Sequence, residues 1–255
     1  VAPHKRHCRC RADSAQGFYS GLTGWTYSDS GQEGNDYRLF AADGPAVGGL
    51  LALTQPMIDN GAVPMWAGYI CVVDIDKAAA DVKAARGQVL LEPWEIPDVG
   101  RIALVTDPQG AAFYLSQTNT DYKSDSYVGE VQTIGHCGWN ELCTSDPEDA
   151  ERFYGNLFGW THADSIDMGP AGTYKLYANG ADSGSLIGGM MLKPDEFPVS
   201  MWSHYFRVGN IDTAAAYVKD NGGSVMMEPM EVPGGEWVFA GMDPQEAMFS
   251  VIGPR

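Results

Sequence analysis

Phe18-Tyr19-Ser20-Gly21-Leu22-Thr23-Gly24-Trp25-Thr26 returns as Phe153-Tyr154-Gly155-Asn156-Leu157-Phe158-Gly159-Trp160-Thr161, 135 positions later. Further along, Met65-Trp66 matches Met201-Trp202, and Ile75-Asp76 matches Ile211-Asp212. Glu92-Pro93 matches Glu228-Pro229, and Asp107-Pro108-Gln109 matches Asp243-Pro244-Gln245. These last four matches all stand at an offset of 136. A near-constant offset of this kind marks a duplicated structural unit. The two copies are expected at residues 1–117 and 134–255. Between them, residues 118–133, from Thr118 to Thr133, are polar, contain Gly, Ser and Asp, and read as a linker.

Each copy is itself double. In the second copy a short strand, Trp139 to Cys143, meets Thr144-Ser145-Asp146-Pro147. Ser145 or Asp146 suits a helix N-cap, and Glu148 and Asp149 suit the first turn, where the helix dipole favours negative charge. Ala150, Phe153, Tyr154 and Leu157 follow at helical spacing, and Gly159 stops the helix. Strands are expected over Trp160 to Ile166, Tyr174 to Ala178 and Leu186 to Leu192. The order then repeats: strand Ser203 to Val208, a helix from Asn210 or Asp212 through Val218, and strands at Ser224, Trp237 and Met248. The first copy offers Ala67 to Val73, a helix over Asp76 to Ala85, and strands at Val89, Ile102 and Ala112. The expected fold is therefore α+β, with four βαβββ modules in two tandem repeats. Three consecutive strands after one helix call for mixed, cupped sheets with helices on their outer faces, not a doubly wound parallel sheet.

Composition narrows the partners. Thirty-three acids against 16 bases give a formal charge of −17, which repels nucleic acid and anionic lipid. With 44% apolar and 19% charged residues, the chain has the composition of a folded globular protein. The cysteines Cys8, Cys10, Cys71, Cys137 and Cys143 are too few and too scattered for a disulfide scaffold. No signal peptide or transmembrane run is visible, so a cytoplasmic location is expected.

Paired βαβββ modules, with Phe-Tyr before Gly-Trp in the helices, resemble the glyoxalase/bleomycin-resistance/extradiol dioxygenase (vicinal oxygen chelate) superfamily. The segments that carry the likeness are Leu91-Glu92-Pro93-Trp94-Glu95-Ile96-Pro97-Asp98-Val99-Gly100-Arg101 and Thr106-Asp107-Pro108-Gln109-Gly110-Ala111. The chain is similar to two-repeat bacterial proteins of glyoxalase-like type, and each copy is then one glyoxalase-like domain. The resemblance implies a sheet-lined cavity for a small molecule. In catalytic members it also implies a divalent metal held by His, Gln or Glu, acting as a Lewis acid on vicinal substrate oxygens. Carried over position by position, the ligand places are His4, Ala67, Trp139 and Ser203 on opening strands, and Tyr114 and Ser250 on last strands. Only His4 is a conventional donor, and one imidazole does not make a metal site. No metal is therefore expected, and a divalent ion held by other donors remains the alternative.

Strand alternation selects the cavity lining. Tyr69, Cys71 and Tyr114 are expected to line it in the first copy, and Trp139, Glu141, Cys143, Tyr205, Arg207 and Ser250 in the second. Alternation places His204 with Phe206 and Val208 on the helix-packed face, as a core histidine. Glu141 is the sharpest candidate, because a carboxylate inside an apolar strand is costly to bury without a partner. It reads either as a general base or ligand carboxylate, with Tyr205 as a second candidate catalytic group, or as a structural partner of Arg207. Glu92 and Glu228 read as edge acids. The segment His4-Lys5-Arg6-His7-Cys8-Arg9-Cys10-Arg11 stands where an opening strand belongs but lacks apolar alternation. It is expected to be a frayed strand, with soft-metal binding through its His and Cys as the rival. Three functional readings follow: metal-free binding of a small organic molecule, a lyase, isomerase or hydroxylase with metal or atypical groups, and a noncatalytic interaction protein with filled cavities. A homo-oligomer is compatible with each.

Overall fold

The structure, a computed structural model, describes residues 3–32, 34–44, 46–119, 124–129, 133–180, 185–195 and 197–255, with the backbone alone for residues 3–10. The first module is α1 (Pro3–Thr23), β1 (Thr26–Asp29), β2 (Tyr37–Ala41) and β3 (Ala46–Leu51). A short helix, α2 (Gln55–Asp59), leads into the second: β4 (Tyr69–Cys71), α3 (Ile75–Ala84), β5 (Gln88–Ile96), β6 (Gly100–Thr106) and β7 (Ala112–Thr118). The third is β8 (Cys137–Thr144), α4 (Pro147–Phe158), β9 (Trp160–Asp167), β10 (Thr173–Asn179) and β11 (Leu186–Leu192). The fourth is β12 (Met201–Arg207), α5 (Ile211–Asp220), β13 (Ser224–Glu231), β14 (Trp237–Met242) and β15 (Met248–Gly253). The α+β class and the module order agree with the sequence reading.

One element differs. The segment expected as a frayed opening strand is helical, continuous with the helix that carries Phe18 and Tyr19. Among the described residues no strand precedes it. It lacks the period-two alternation a buried strand needs, and no proline separates it from the following helix, so nothing local stops the helix from extending backwards. The side chains of His4, His7, Cys8 and Cys10 lie outside the described residues. Parts of the expected linker, residues 120–123 and 130–132, also lie outside them.

The helix starts follow the caps. Asp146 accepts a hydrogen bond from Asp149 N at 2.9 Å, with Pro147 opening α4, and Gly159 closes it at φ 72°. Asp74 and Asn210 cap α3 and α5 in the same way, accepting from Lys77 N and Thr213 N, both at 2.9 Å. Each cap satisfies a backbone donor that the first turn leaves open.

The chain divides into two compact units, each discontinuous in sequence. The first is Val1–Trp66, Ser124–Trp139 and His204–Arg255; the second is Ala67–Lys123 and Asn140–Ser203. The outer modules, first and fourth, thus compose one unit, and the inner modules, second and third, compose the other. In the first unit β1-β2-β3 form an antiparallel sheet, and β13-β14-β15-β12 a mixed one in which β15 runs parallel to β12. In the second unit the orders are β4-β7-β6-β5 and β8-β11-β10-β9, with parallel pairs β4/β7 and β8/β11. An opening strand and a later strand of its own module therefore lie parallel, joined through the intervening helix.

Each unit has its own core. Phe18, Tyr19 and Leu22 of α1 pack with Ile211, Ala214 and Val218 of α5, and with Phe40, Phe206, Phe239, Phe249 and Val251 from the strands. Ile75, Ala79 and Val82 of α3 pack with Ala150, Phe153 and Tyr154 of α4, and with Phe113, Leu115, Leu142 and Met190. The repeated sequence motifs meet inside these cores. Trp202 Nε1 donates to Tyr154 Oη at 2.8 Å, and that hydroxyl donates to Asp107 Oδ2 at 3.2 Å. In the first unit Trp66 Nε1 donates to Tyr19 Oη at 2.8 Å, and Tyr19 Oη donates to Asp243 Oδ2 at 3.0 Å. The other oxygen of each carboxylate accepts two backbone N–H groups, from Gln109 and Ala111 or from Gln245 and Ala247. Burial, with the carboxylate beside it, pushes both tyrosine hydroxyls well above their usual range, so they remain donors at neutral pH. No described helix is long and apolar enough to cross a membrane.

Tyr154→Phe removes the hydroxyl that Trp202 and Asp107 share and leaves two buried polar groups short of a partner. A loss of about 1–3 kcal/mol of unfolding free energy is expected, measured by urea denaturation with an unchanged m-value.

Candidate functional site

The helix-packed face of each sheet is filled by core, so any site must use the opposite face or the strand ends. In the second unit Phe113 and Leu115 enter the core, which turns Tyr114 and Ser116 to the other face. The parallel register places Tyr69 beside Tyr114 and Cys71 beside Ser116. The two tyrosine rings stack at 4.8 Å with an interplanar angle of 12°, and the Trp94 ring stands edge-on to Tyr114 at 6.4 Å. Tyr69 remains 51% exposed and Trp94 36%, so this is an open aromatic shelf and not a packed core. Cys71 Sγ lies 3.6 Å from Ser116 Oγ. The sequence reading assigned Tyr69, Cys71 and Tyr114 to one lining, and the structure brings them together. It missed Trp94, which sits past a proline in β5, where alternation is interrupted by register shifts.

On β8, Leu142 enters the core, and Glu141 and Cys143 project from the other face. Cys143 Sγ donates to Glu141 Oε1 at 3.7 Å. Burial, then the neighbouring Glu141, raises the Cys143 thiol far above the ordinary cysteine value. It is therefore a protonated thiol, unsuited to act as a nucleophile. Gly189 is the register partner of Glu141 on β11, and the Tyr174 ring lies over it. A Cβ at Gly189 would stand 2.2 Å from that ring, so the glycine is what lets Tyr174 lie across the strand beside Glu141. Sequence reasoning missed Tyr174. Its signal was the Gly188-Gly189 pair inside an otherwise apolar strand.

In the first unit Phe206 and Val208 enter the core, and Tyr205 and Arg207 take the other face. Tyr205 pairs in register with Ser250, and Arg207 with Ile252. Tyr205, Val238 and Ile252 form a small apolar cluster, against which Trp139 packs. Arg207 is 3% exposed, and its Nη1 makes an ion pair with Glu236, a residue the sequence reading did not single out. Glu236 follows Gly234 and Gly235, whose positive φ values shape the β13–β14 turn. Glu92 and Glu228 pair with Lys83 and Lys219 at the surface, as edge acids do.

The places where a family metal ligand would stand hold Ala67 just before β4, Trp139 on β8 and Ser203 on β12, and Tyr114 and Ser250 on last strands, while the fourth opening position, His4, has its side chain outside the described residues. Tyr114 is engaged in the ring stack, and burial raises its phenol, which keeps it protonated. Ser250 is 2% exposed, beside Tyr205. An indole, a methyl group, two hydroxyls and a neutral phenol do not fit a divalent cation that needs imidazole or carboxylate donors. Among the described residues no three His, Cys, Asp or Glu side chains are grouped to hold a metal ion. His204 lies between Trp202 and Phe206 on the alternation that faces the cores. Burial lowers its imidazole to about 4, so the ring is neutral at pH 7.

Comparison with known proteins adds three findings. The sequence profile described as the Glyoxalase/Bleomycin resistance protein/Dioxygenase superfamily matches residues 6–115 and 133–251. "Putative glyoxylase CFP32" of Mycobacterium tuberculosis is 34% identical over 243 residues, covering 94% of this chain and 90% of the relative. "Anthracycline biosynthesis protein DauV" of a Streptomyces species is 30% identical over 264 residues, covering 92% and 86%. Among solved structures, the Mn(II)-bound glyoxalase of Novosphingobium aromaticivorans shares the fold with a TM-score of 0.55 and 14% identity, over 95% of this chain and 78% of that one. A 2,2',3-trihydroxybiphenyl 1,2-dioxygenase of Sphingomonas wittichii does so at 0.58 and 15%, over 95% and 85%.

The His204 ring gives stability a pH dependence. An unfolded histidine protonates near 6.5, whereas this one resists protonation down to about 4. Between those values the unfolded chain binds more protons, so stability falls as pH is lowered through the window. Equilibrium unfolding at a series of pH values should show a decline on the order of a few kcal/mol, and His204→Gln should flatten it.

Proposed function

Because the chain belongs to the Glyoxalase/Bleomycin resistance protein/Dioxygenase superfamily, we propose that it binds a small planar organic molecule on a sheet face opposite its helices, without a catalytic divalent metal. The observation that carries this reading is the shelf of Tyr69, Tyr114 and Trp94. It offers stacked and edge-on rings to a ligand at the place where metal-dependent members hold a carboxylate. Exposed aromatic rings on a rigid sheet lose apolar hydration when a flat ligand covers them, and a ring pair adds about 0.5–1.5 kcal/mol beyond area burial. The relative named for anthracycline biosynthesis supports a fused-ring ligand class, since anthracyclines carry a planar quinone.

Polar groups on these faces would orient the ligand. Glu141, beside Tyr174 in the second unit, accepts a hydrogen bond from a ligand hydroxyl. In a catalytic version of the same reading, it is the group placed to take a proton. Tyr205, with Ser250 and Trp139, offers a hydroxyl and apolar cover in the first unit. The lyase, isomerase or hydroxylase chemistry of such a version would run on these side chains. The observation favouring it is the carboxylate of Glu141 held next to a protonated thiol in Cys143.

Alizarin, a planar dihydroxyanthraquinone, is a suitable probe. Its binding should quench tryptophan fluorescence through Trp94. Tyr114→Ala should weaken it about tenfold, equivalent to about 1.4 kcal/mol, with little change in melting temperature. Glu141→Gln should lower affinity for the hydroxylated probe more than for anthraquinone itself. Unchanged alizarin affinity in Tyr114→Ala would remove the shelf from the argument. About one equivalent of a divalent metal per chain, found by elemental analysis without chelators, would overturn the metal-free reading.

A further inference from the structure

Arg207 is a buried cation with too few acceptors. Its residue exposure is 3%, yet among the described residues Nη1 alone of the guanidinium nitrogens meets a carboxylate, that of Glu236. The Nε atom is buried with no hydrogen-bond partner among the described residues. Buried charge is normally both paired and saturated with hydrogen bonds, because each unmet donor carries its desolvation cost uncompensated. The unmet donor lies on the Nε–Nη2 edge, which is the edge that grips a carboxylate with two parallel hydrogen bonds.

Two further observations bear on that edge. Gly138 lies against it: a Cβ at position 138 would stand 3.0 Å from Nη2 and 3.2 Å from Nε. Any larger residue there would press on the same two nitrogens. The pair also stands outside the duplicated framework. At the 136-residue offset, Arg207 corresponds to Cys71 and Glu236 to Gly100, whereas the Trp–Tyr–Asp triads occur in both units. A cation kept in only one of two similar units is not explained by the common fold.

We propose that the first unit holds an anion-recognition site, in which Arg207 presents its Nε–Nη2 edge to the carboxylate of an aromatic acid. Glu236 anchors Nη1 from the β13–β14 turn, fixing the plane of the guanidinium. The rest of the face suits the body of such a ligand. Ile252 is the register partner of Arg207, and Tyr205, Val238 and Trp139 pack with it into an apolar wall. The ligand is thus an acid with a ring: the carboxylate at Arg207, the ring along the wall. This site lies on a different unit from the Tyr69–Tyr114 shelf and uses different chemistry. It shares with the shelf reading only the premise that the helix-free faces take ligands.

Salicylate and its neutral counterpart salicylamide test it, titrated calorimetrically against the full chain. Salicylate should bind at least tenfold more tightly than salicylamide. Arg207→Lys, which keeps the charge and the Glu236 partner but loses the planar fork, should lower salicylate affinity about tenfold. Glu236→Gln, which keeps an acceptor oxygen on Nη1 but removes the charge that neutralises Arg207, should raise it several-fold, and this variant decides the matter if Arg207→Lys does not fold. Tyr114→Ala should leave salicylate binding unchanged, so that a failure of the shelf and a failure of this site are told apart. Equal affinity for the acid and the amide, no salicylate binding by the folded chain, or unchanged or weaker binding in Glu236→Gln would overturn the proposal. Loss of salicylate binding in Tyr114→Ala would overturn it too, by placing the acid on the other unit.

Discussion

A tyrosine hydroxyl buried between an indole and a carboxylate sets the frame of this protein. Tyr19 joins Trp66 to Asp243, and Tyr154 joins Trp202 to Asp107. Each hydroxyl donates to the acid and accepts from the tryptophan, so its bonding is directional at both ends. The acid in turn is held by backbone N–H groups of its own turn. A misplacement of any member would leave a polar group unmet inside an apolar core, at a cost of about 1–3 kcal/mol each. The triads thereby dictate which modules lie together: the first with the fourth, and the second with the third. Shape alone specifies this weakly, since four similar amphipathic modules can cover one another in several ways.

That frame consumes the residues most visible as a repeat. The Phe, Tyr, Trp and Asp of these motifs serve the cores. The frame holds the alternate positions on the same strands in place without choosing their chemistry. The two units have used that freedom differently. One carries the stacked Tyr69 and Tyr114, with Trp94 at their edge and Glu141 beside Cys143. The other carries a buried guanidinium paired with Glu236, in an apolar setting. A rigid scaffold with interchangeable inward positions is how one fold comes to host many ligands.

The metal question falls within the same logic. In this superfamily a divalent ion asks for imidazole or carboxylate donors on opening and last strands. Among the described side chains, those places hold an indole, a phenol, hydroxyls and, just before β4, a methyl group. The phenol of Tyr114 is spent on a ring stack and kept protonated by burial. One of these positions, Tyr114, turns its ring onto that of Tyr69.

Much of this was legible in the chain itself. The duplication rests on a constant offset of 135–136 positions, whereas the caps at Asp146 and Asn210 and the stop at Gly159 rest on local rules spanning about five residues. Strand alternation correctly separated Phe206 and Val208 from Tyr205 and Arg207, and grouped Tyr69, Cys71 and Tyr114. The same rules failed where the signal was not local. The N-terminal segment turned helical, because the helix after it could extend into residues with no pattern of their own. Trp94 and Tyr174 escaped, since one follows a proline and register shifts, and the other reaches its place by lying over a glycine on the next strand. Glu236 was invisible as the partner of Arg207, being 29 residues away in a glycine turn. The periodicity of the chain thus determined what each element is and which side of it is apolar. Which modules share a core, and which charge meets which, was decided only by the tertiary structure, because hydrogen bonds across 224 residues leave no trace in the spacing of neighbours.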